Sequence, residues 1–514
     1  MKSFNYGKDH LSCSTALAIL RGKTKGIIAE PTKKKIKISY NHVVDIVKKE
    51  AAVYGINTGF GPLCNTKISK VNTSLLQKNL LISHAVGVGN PIDKDIAKLM
   101  LILKVHALSK AYSGISMPVL NRVLWHIKED IIPVVPEQGS VGASGDLAPL
   151  SHLFLPLLGE GKVFYNGKIQ STKSVLKKLN KKPLFLPPKA GLALINGTQF
   201  IAAHAIMVVE KLHSCLAQAD IIAALMIEGL YGSISPFTPG IHSLRAFKGN
   251  QHVAARVHKL LKGSQILKAH KNCDRVQDPY SLRCTPQVHG SSRNAWLHLK
   301  ECVEIEINSV TDNPIVFSAE ETISGGNFHG QPLALPLDYA CLAAAEIGNI
   351  SDRRAYFSLE GKDDRAPKLL LKDTGINSGF MIVQYTGAAL VSENKGLCFP
   401  SSADSIPTSL GQEDHVSMGS IGARKALQVC KNVEKIIAIE MFCAAQAFDF
   451  KRPLKSTATL EKVHTHIRSK ITHVTKDRLF GEDIEKAIEI IQSKKLIEIT
   501  TNVKTAFDKL FEKF

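Results

Sequence analysis

Gln138-Gly139-Ser140-Val141-Gly142-Ala143-Ser144-Gly145-Asp146-Leu147-Ala148-Pro149-Leu150-Ser151-His152 concentrates small residues where the backbone must fold tightly, and the rest of the chain is read outward from it. At its centre stand Ala143, Ser144 and Gly145. Gly142 and Gly145 flank Ala143-Ser144 and permit dihedrals that a Cβ forbids, and Gly145 has no side chain to keep its nitrogen from the Ala143 carbonyl. That approach would close a five-membered ring. Closure with loss of water, followed by loss of the Ser144 hydroxyl with its Cα proton as a second water, would leave an exocyclic methylidene conjugated to the ring, an electrophile made from the chain's own atoms. For an isolated Ala-Ser-Gly the simple reading is a turn ahead of a helix. A serine-hydrolase elbow is a poor competitor, because G-x-S-x-G spacing is absent around Ser140 and Ser144.

Elsewhere the chain alternates helical spacing with glycine-rich breaks. Residues 40–52 have helical periodicity and lead into 54–62, a loop by its three glycines and proline. Residues 77–82 begin a helix that runs into Ser83-His84 and two glycines, too few for a phosphate loop. A lone histidine there reads first as a core residue. Residues 93–127 again have helical spacing, and 163–169, with Asn166-Gly167 between β-formers, predicts a hairpin. Residues 191–198 open a long helical region that Asn196 could cap. Asp278 as N-cap with Pro279 at N1 places Tyr280 and Arg283 on one face of a first helical turn. A guanidinium there suits a bidentate grip on a carboxylate. Residues 304–314 end a helix at an Asn-Pro turn, 323–330 form a glycine-rich loop, and helices follow at 332–359 and 380–395. After 405–416 comes one very long helix, with apolar residues at Ala426, Cys430, Val433, Ile437, Met441, Ala444 and Phe448. Glu413-Asp414-His415 is not read as a metal site, since adjacent positions point different ways on a helix and no partner motif accompanies them. In the C-terminal part, 484–497 is amphipathic, and His464, His466 and His473 read as a solvated face.

Composition narrows the class. A chain of 514 residues with 44% hydrophobic and 21% charged residues is ordinary for a globular protein with a large core. The net charge of +20 is spread along the sequence rather than gathered in one tract, so no nucleic-acid partner is expected. No uninterrupted apolar run reaches the length of a membrane span, and the first twenty residues lack the architecture of a secretory signal. Ten cysteines are dispersed without a C-x-x-C pair and read as reduced thiols of a cytoplasmic protein.

The run GSVGASGDLAPLSH resembles the signature of the ammonia-lyases that carry a methylidene-imidazolone group, the histidine, phenylalanine and tyrosine ammonia-lyases with the related aminomutases. The resemblance covers nearly the whole chain and implies that Ala143, Ser144 and Gly145 form this cofactor autocatalytically. YGINTGFG at 54–61 matches another block of the family, in which Tyr54 is a substrate-proximal acid or base. LINGT, QDPYSLRC, GGNFHG and QEDH match further blocks. By resemblance Asn196 lies near the prosthetic group and the substrate's head group, and Arg283 anchors the carboxylate. Gln277 lies in the substrate site and Phe328 packs near the prosthetic group. Tyr280, with Tyr54 or Glu413 as rivals, takes the β-proton. His84 and Glu413 match the histidine branch, where they face the imidazole. The sequence departs at Gly411, where many members have asparagine.

Helical patterns greatly outnumber strand patterns, so a mostly α protein is expected. The resemblance implies a long-helix bundle of the ammonia-lyase/fumarase-like type with a smaller, loop-rich N-terminal part. The expected parts are 1–200 with the prosthetic-group loop, 201–450 with the long bundle, and 451–514 with C-terminal helical segments. The resemblance further implies a homotetramer with active sites assembled from several chains. The expected reaction is deamination of L-histidine to trans-urocanate and ammonia. A tyrosine or other aromatic ammonia-lyase or aminomutase, and a non-catalytic paralogue, are the alternatives.

Overall fold

A computed structural model describes residues 2–49, 53, 55–56, 58–59, 68, 72–270, 276–362 and 365–514. Helix accounts for 59% of the structure and strand for 7%, in line with the mostly α expectation. The chain divides into two compact units, each gathered from three separated stretches. One is Met1–Met207 with Lys300–Asp338 and Pro400–Arg424, the other Val208–Leu299 with Tyr339–Phe399 and Lys425–Phe514. These units cut across the three consecutive parts drawn from the sequence.

In the first unit, the helix Thr73–His84 packs against Leu147–Phe154 and Ala190–Ile195, which also pack on each other. This trio carries His84, the residues after the Ala143-Ser144-Gly145 loop, and Asn196. The strands are short accessories. Lys162–Tyr165 and Lys168–Ser171 form the expected hairpin, pairing Tyr165 with Lys168 across Asn166 (φ 50°) and Gly167 (φ 72°), which is the left-handed pair that a tight right-twisted hairpin needs. Val88–Pro91 pairs antiparallel with Pro136–Gln138, which delivers the chain directly into the Ala143-Ser144-Gly145 loop.

Two helix boundaries differ from the sequence reading. The helix expected from residue 40 already begins at Glu30, with a proline in its first turn. Its lysine-rich start hides the pattern because few positions there are buried. The stretch 93–127 is two helices, Lys94–Leu108 and Met117–Lys128, separated where Ala111 (φ 67°) and Gly114 (φ 64°) turn left-handed.

The second unit is helical. Gln199–Gly229 and Gln331–Ser358 enter it from the first, and they are long and apolar enough to cross a membrane. Their most apolar windows are 83% and 67% buried within the protein, as core helices are. The long helix expected after residue 416 is Gly419–Asp449, and Ala426, Cys430, Val433, Ile437, Met441, Ala444 and Phe448 are all buried. The amphipathic stretch 484–497 is broken at Lys494 (φ 58°) into Phe480–Gln492 and Lys495–Ile499. The expected solvated histidine face is corrected. His464 is buried with Nε2 2.7 Å from Asp449 Oδ1, and His473 Nδ1 lies 2.7 Å from Asp449 Oδ2. Asp449, one helix away in sequence, is the partner that spacing could not reveal.

Candidate active site

The loop at 139–145 is bent as its glycines allow. Gly142 and Gly145 have φ of 75° and 77°, and Ser144 itself sits at 47°, a left-handed conformation rare for a residue with a side chain. The bend is held from outside. Gly145 forms a parallel bridge with Gly197, and Asp146 N donates to Gly197 O at 2.8 Å. The approach is so close that a Cβ on Gly145 would lie 2.2 Å from Gly197 O, and one on Gly142 would lie 2.1 Å from Ser417 Oγ. The Ser144 carbonyl accepts from Asn196 Nδ2 at 2.8 Å and from Gly197 N at 3.4 Å. Two donors therefore converge on one carbonyl oxygen, an arrangement suited to stabilising negative charge that develops there.

Asn196 does not cap the following helix. It closes the C-terminal end of Ala190–Ile195 in extended conformation, which turns its side chain to the Ala143-Ser144-Gly145 loop. Its Oδ1 is buried and has no hydrogen-bond partner among the described residues. Its backbone carbonyl accepts from Lys104 Nζ at 2.6 Å. Lys104 is buried, and burial pulls its ammonium down to about 7 despite the nearby charges of Asp312 and Asp146.

Asp146 was not singled out in the sequence, yet it ties this region together. It stands at the start of Leu147–Phe154, but its side chain serves another helix, with Oδ2 accepting from Phe200 N and Ile201 N, both at 3.0 Å. Oδ1 accepts from Ser140 Oγ at 3.2 Å. Burial pushes its carboxyl up to about 7, against the lowering effect of these donors.

Residues 405–416 form a strap over the loop. Val416 N donates to Ser405 Oγ at 2.9 Å, Thr408 N donates to Glu413 O at 2.9 Å, and the tip turns through Ser409, Leu410 and Gly411, all left-handed. Gly411 has φ 84° and open space where a Cβ would stand. The strap carries Glu413 to Ser144, whose Oγ donates to Oε1 at 2.6 Å. Glu413 Oε2 accepts from Thr408 Oγ1 at 3.0 Å and Ser409 Oγ at 2.9 Å.

His84 ends the helix Thr73–His84, half-buried, with Nδ1 3.0 Å from Ser83 Oγ. Desolvation lowers its pKa, against a raising effect from Glu413. The glycine turn after it is pinned by His152, whose Nε2 accepts from Gly87 N at 3.0 Å. His84, Glu413, Ala143 and Gly145 line one cavity of about 370 Å³, within the range of small-molecule sites.

Phe328 is half-buried in the same unit but does not line the cavity. Tyr54 lies outside the described residues. Gln277, Tyr280 and Arg283 belong to the second unit. There the expected cap is corrected, because the helix Tyr280–Arg283 has Pro279 as its N-cap with no side-chain cap bond, while Asp278 Oδ2 accepts from Ser233 N at 2.6 Å. Tyr280 and Arg283 do share a face, the guanidinium lying 4.6 Å from the ring centroid. Arg283 Nε has no hydrogen-bond partner among the described residues. Gln277 is exposed.

Comparison with known proteins follows the same lines. Residues 11–469 match the aromatic amino acid lyase family. Histidine ammonia-lyase of Myxococcus xanthus is 43% identical over 490 residues, 95% of this chain and 96% of that protein. The crystal structure of histidine ammonia-lyase from Trypanosoma cruzi superposes with a TM-score of 0.91 at 39% identity, covering 99% of this chain and 98% of the other. Tyrosine aminomutase from Streptomyces globisporus superposes with a TM-score of 0.91 at 31% identity, covering 98% and 99%. With a family match across most of its length and relatives that align nearly end to end, the chain belongs to the aromatic amino acid lyases.

Proposed function

We propose that the chain is a histidine ammonia-lyase, converting L-histidine to trans-urocanate and ammonia. The observation that carries this reading is the cavity in which His84 and Glu413 meet the Ala143-Ser144-Gly145 loop. The two histidine ammonia-lyases named above support the same substrate. A tyrosine-type lyase or aminomutase would keep the ring chemistry, but an imidazole and a carboxylate lining the cavity suit an imidazole-bearing guest better than a phenol.

The residues present fit a methylidene-imidazolone formed from Ala143, Ser144 and Gly145. The cradle around Gly145 would be filled by any Cβ, and the Ser144 carbonyl, which the ring retains, lies between two donors. When formed, the group supplies an electron sink that lets the amino group leave. The chain's own side chains do the rest. The β-proton is a very weak acid and needs a positioned base, a role for Tyr280 with Tyr54 and Glu413 as rivals. Arg283 grips the carboxylate with Gln277 nearby, Asn196 orients the head group, and Phe328 packs near the group. His84 and Glu413 hold the imidazole.

Exposed apolar residues in the second unit support assembly into a homotetramer with shared active sites. Tyr339 and Leu342 stand three apart on one helix, and Ile382 and Tyr385 three apart on another. Eight described cysteines are in no disulfide, which supports a reducing compartment such as the cytoplasm. Ultraviolet assay of the purified chain with L-histidine, L-phenylalanine and L-tyrosine tests the substrate. Urocanate as the dominant product is expected, and cinnamate or coumarate in its place would overturn the assignment.

A further inference from the structure

We propose that Glu413 is the proton donor that completes the prosthetic group, protonating Ser144 Oγ as its bond to Cβ breaks. The inference rests on reading Ala143-Ser144-Gly145 as the ring-forming tripeptide, and gives a maturation step to a side chain also placed beside the substrate.

Two waters must leave. In ring closure the Gly145 nitrogen bonds the Ala143 carbonyl carbon, and the carbonyl oxygen departs as water with the amide hydrogens of Gly145 and Ser144. The second water takes Ser144 Oγ with its own hydrogen and one more proton. Hydroxide is a poor leaving group, so this elimination needs an acid at Oγ and a place for the charge left when the Ser144 Cα proton departs.

Both needs are met at Ser144. Oγ donates to Glu413 Oε1 at 2.6 Å, a contact whose direction reverses once the carboxyl has taken a proton from solvent, and the adjacent carbonyl accepts from Asn196 Nδ2 at 2.8 Å and Gly197 N at 3.4 Å. Thr408 and Ser409 hold Oε2, which leaves Oε1 to address Oγ, and the Thr408–Glu413 bridge fixes the strap behind it. Asp146, the next acid in sequence, has both oxygens engaged by Ser140 and the start of Gln199–Gly229.

The step balances. Glu413 gives its proton to Oγ, which leaves as water with the Cβ–Oγ electron pair. The Cα–H pair becomes the new double bond, and the Cα proton passes to solvent, which returns one to the carboxylate. No oxidant or reductant is required.

Intact-mass measurement on the full chain, followed in time from refolding, tests the assignment. The wild type is expected to finish two waters below its sequence mass. Glu413→Gln, folded by circular dichroism, should accumulate one water below it, with the second loss slowed roughly 100-fold. Glu413→Asp keeps an acid on the strap and should complete both losses. A Gln variant that loses both waters at the wild-type rate, or loses neither, overturns the assignment, as does an Asp variant arrested at one. A wild-type chain at its full sequence mass would overturn the parent reading instead.

Discussion

Replacing Asp146 by asparagine separates the two things this buried carboxyl does. Its oxygens receive Phe200 N, Ile201 N and Ser140 Oγ, and burial raises it from 3.8 to about 7. Asparagine can reproduce the whole set, its Oδ1 accepting both backbone N–H groups and its Nδ2 donating to Ser140 Oγ, as a protonated aspartic acid would donate. The variant loses only the ability to ionise. Because the folded-state pKa lies above the unfolded one, the folded chain binds the extra proton between these values, and its stability falls as pH rises from 3.8 to about 7. The interval corresponds to about 4 kcal/mol at most, or roughly 5–10 °C in the thermal midpoint for a unit of this size. Asp146→Asn should match the wild type near pH 4 and exceed it at pH 8. Scanning calorimetry at fixed rate across that range reads the difference directly. Parallel wild-type and variant curves would refute the reasoning, because they would mean that the folded carboxyl titrates as it does in the unfolded chain.

Three further outcomes follow from named contacts. Gly145→Ala forces a side chain into left-handed backbone, at a cost of about 1–2 kcal/mol, and sets its Cβ against Gly197 O at 2.2 Å. The loop should fail to dock and the chain should keep its full sequence mass, whereas a mass two waters lower would show that the cradle is not needed. His84→Phe should cut kcat/KM for L-histidine roughly 100-fold while improving turnover of L-phenylalanine, read by urocanate and cinnamate absorbance. Unchanged selectivity would remove His84 from recognition. Asp449 is desolvated, yet His464, His473 and the Arg468 charge hold it well below the ordinary carboxylate range. It therefore stabilises the fold above its unfolded value of 3.8, and the contribution is lost as pH falls below it. Asp449→Asn should flatten the acid limb of urea unfolding, and an unaltered limb would contradict this.

The legible parts of the chain were those whose cause is local. The hairpin at Asn166-Gly167, the buried stripe of Gly419–Asp449 and the bend at 142–145 each follow from residues a few positions apart. The site was legible only as separate pieces. That Glu413 reaches Ser144, 269 positions away, depends on how the strap folds back, which no periodicity encodes. Asp146 stands at the start of one helix, but its side chain serves the start of another. Lys104 did leave a signal, a lone lysine inside the apolar run Leu101-Ile102-Leu103-Lys104-Val105. A cation buried on such a face needs a specific acceptor, and here it is the Asn196 carbonyl.

Fragment mass spectrometry of the mature chain tests the central claim most directly. The account predicts a deficit of two waters confined to Ala143-Ser144-Gly145, absent from Ser144→Ala, which should fold but not turn over. A chain that deaminates L-histidine while those three residues keep their full mass and Ser144 its hydroxyl would contradict it.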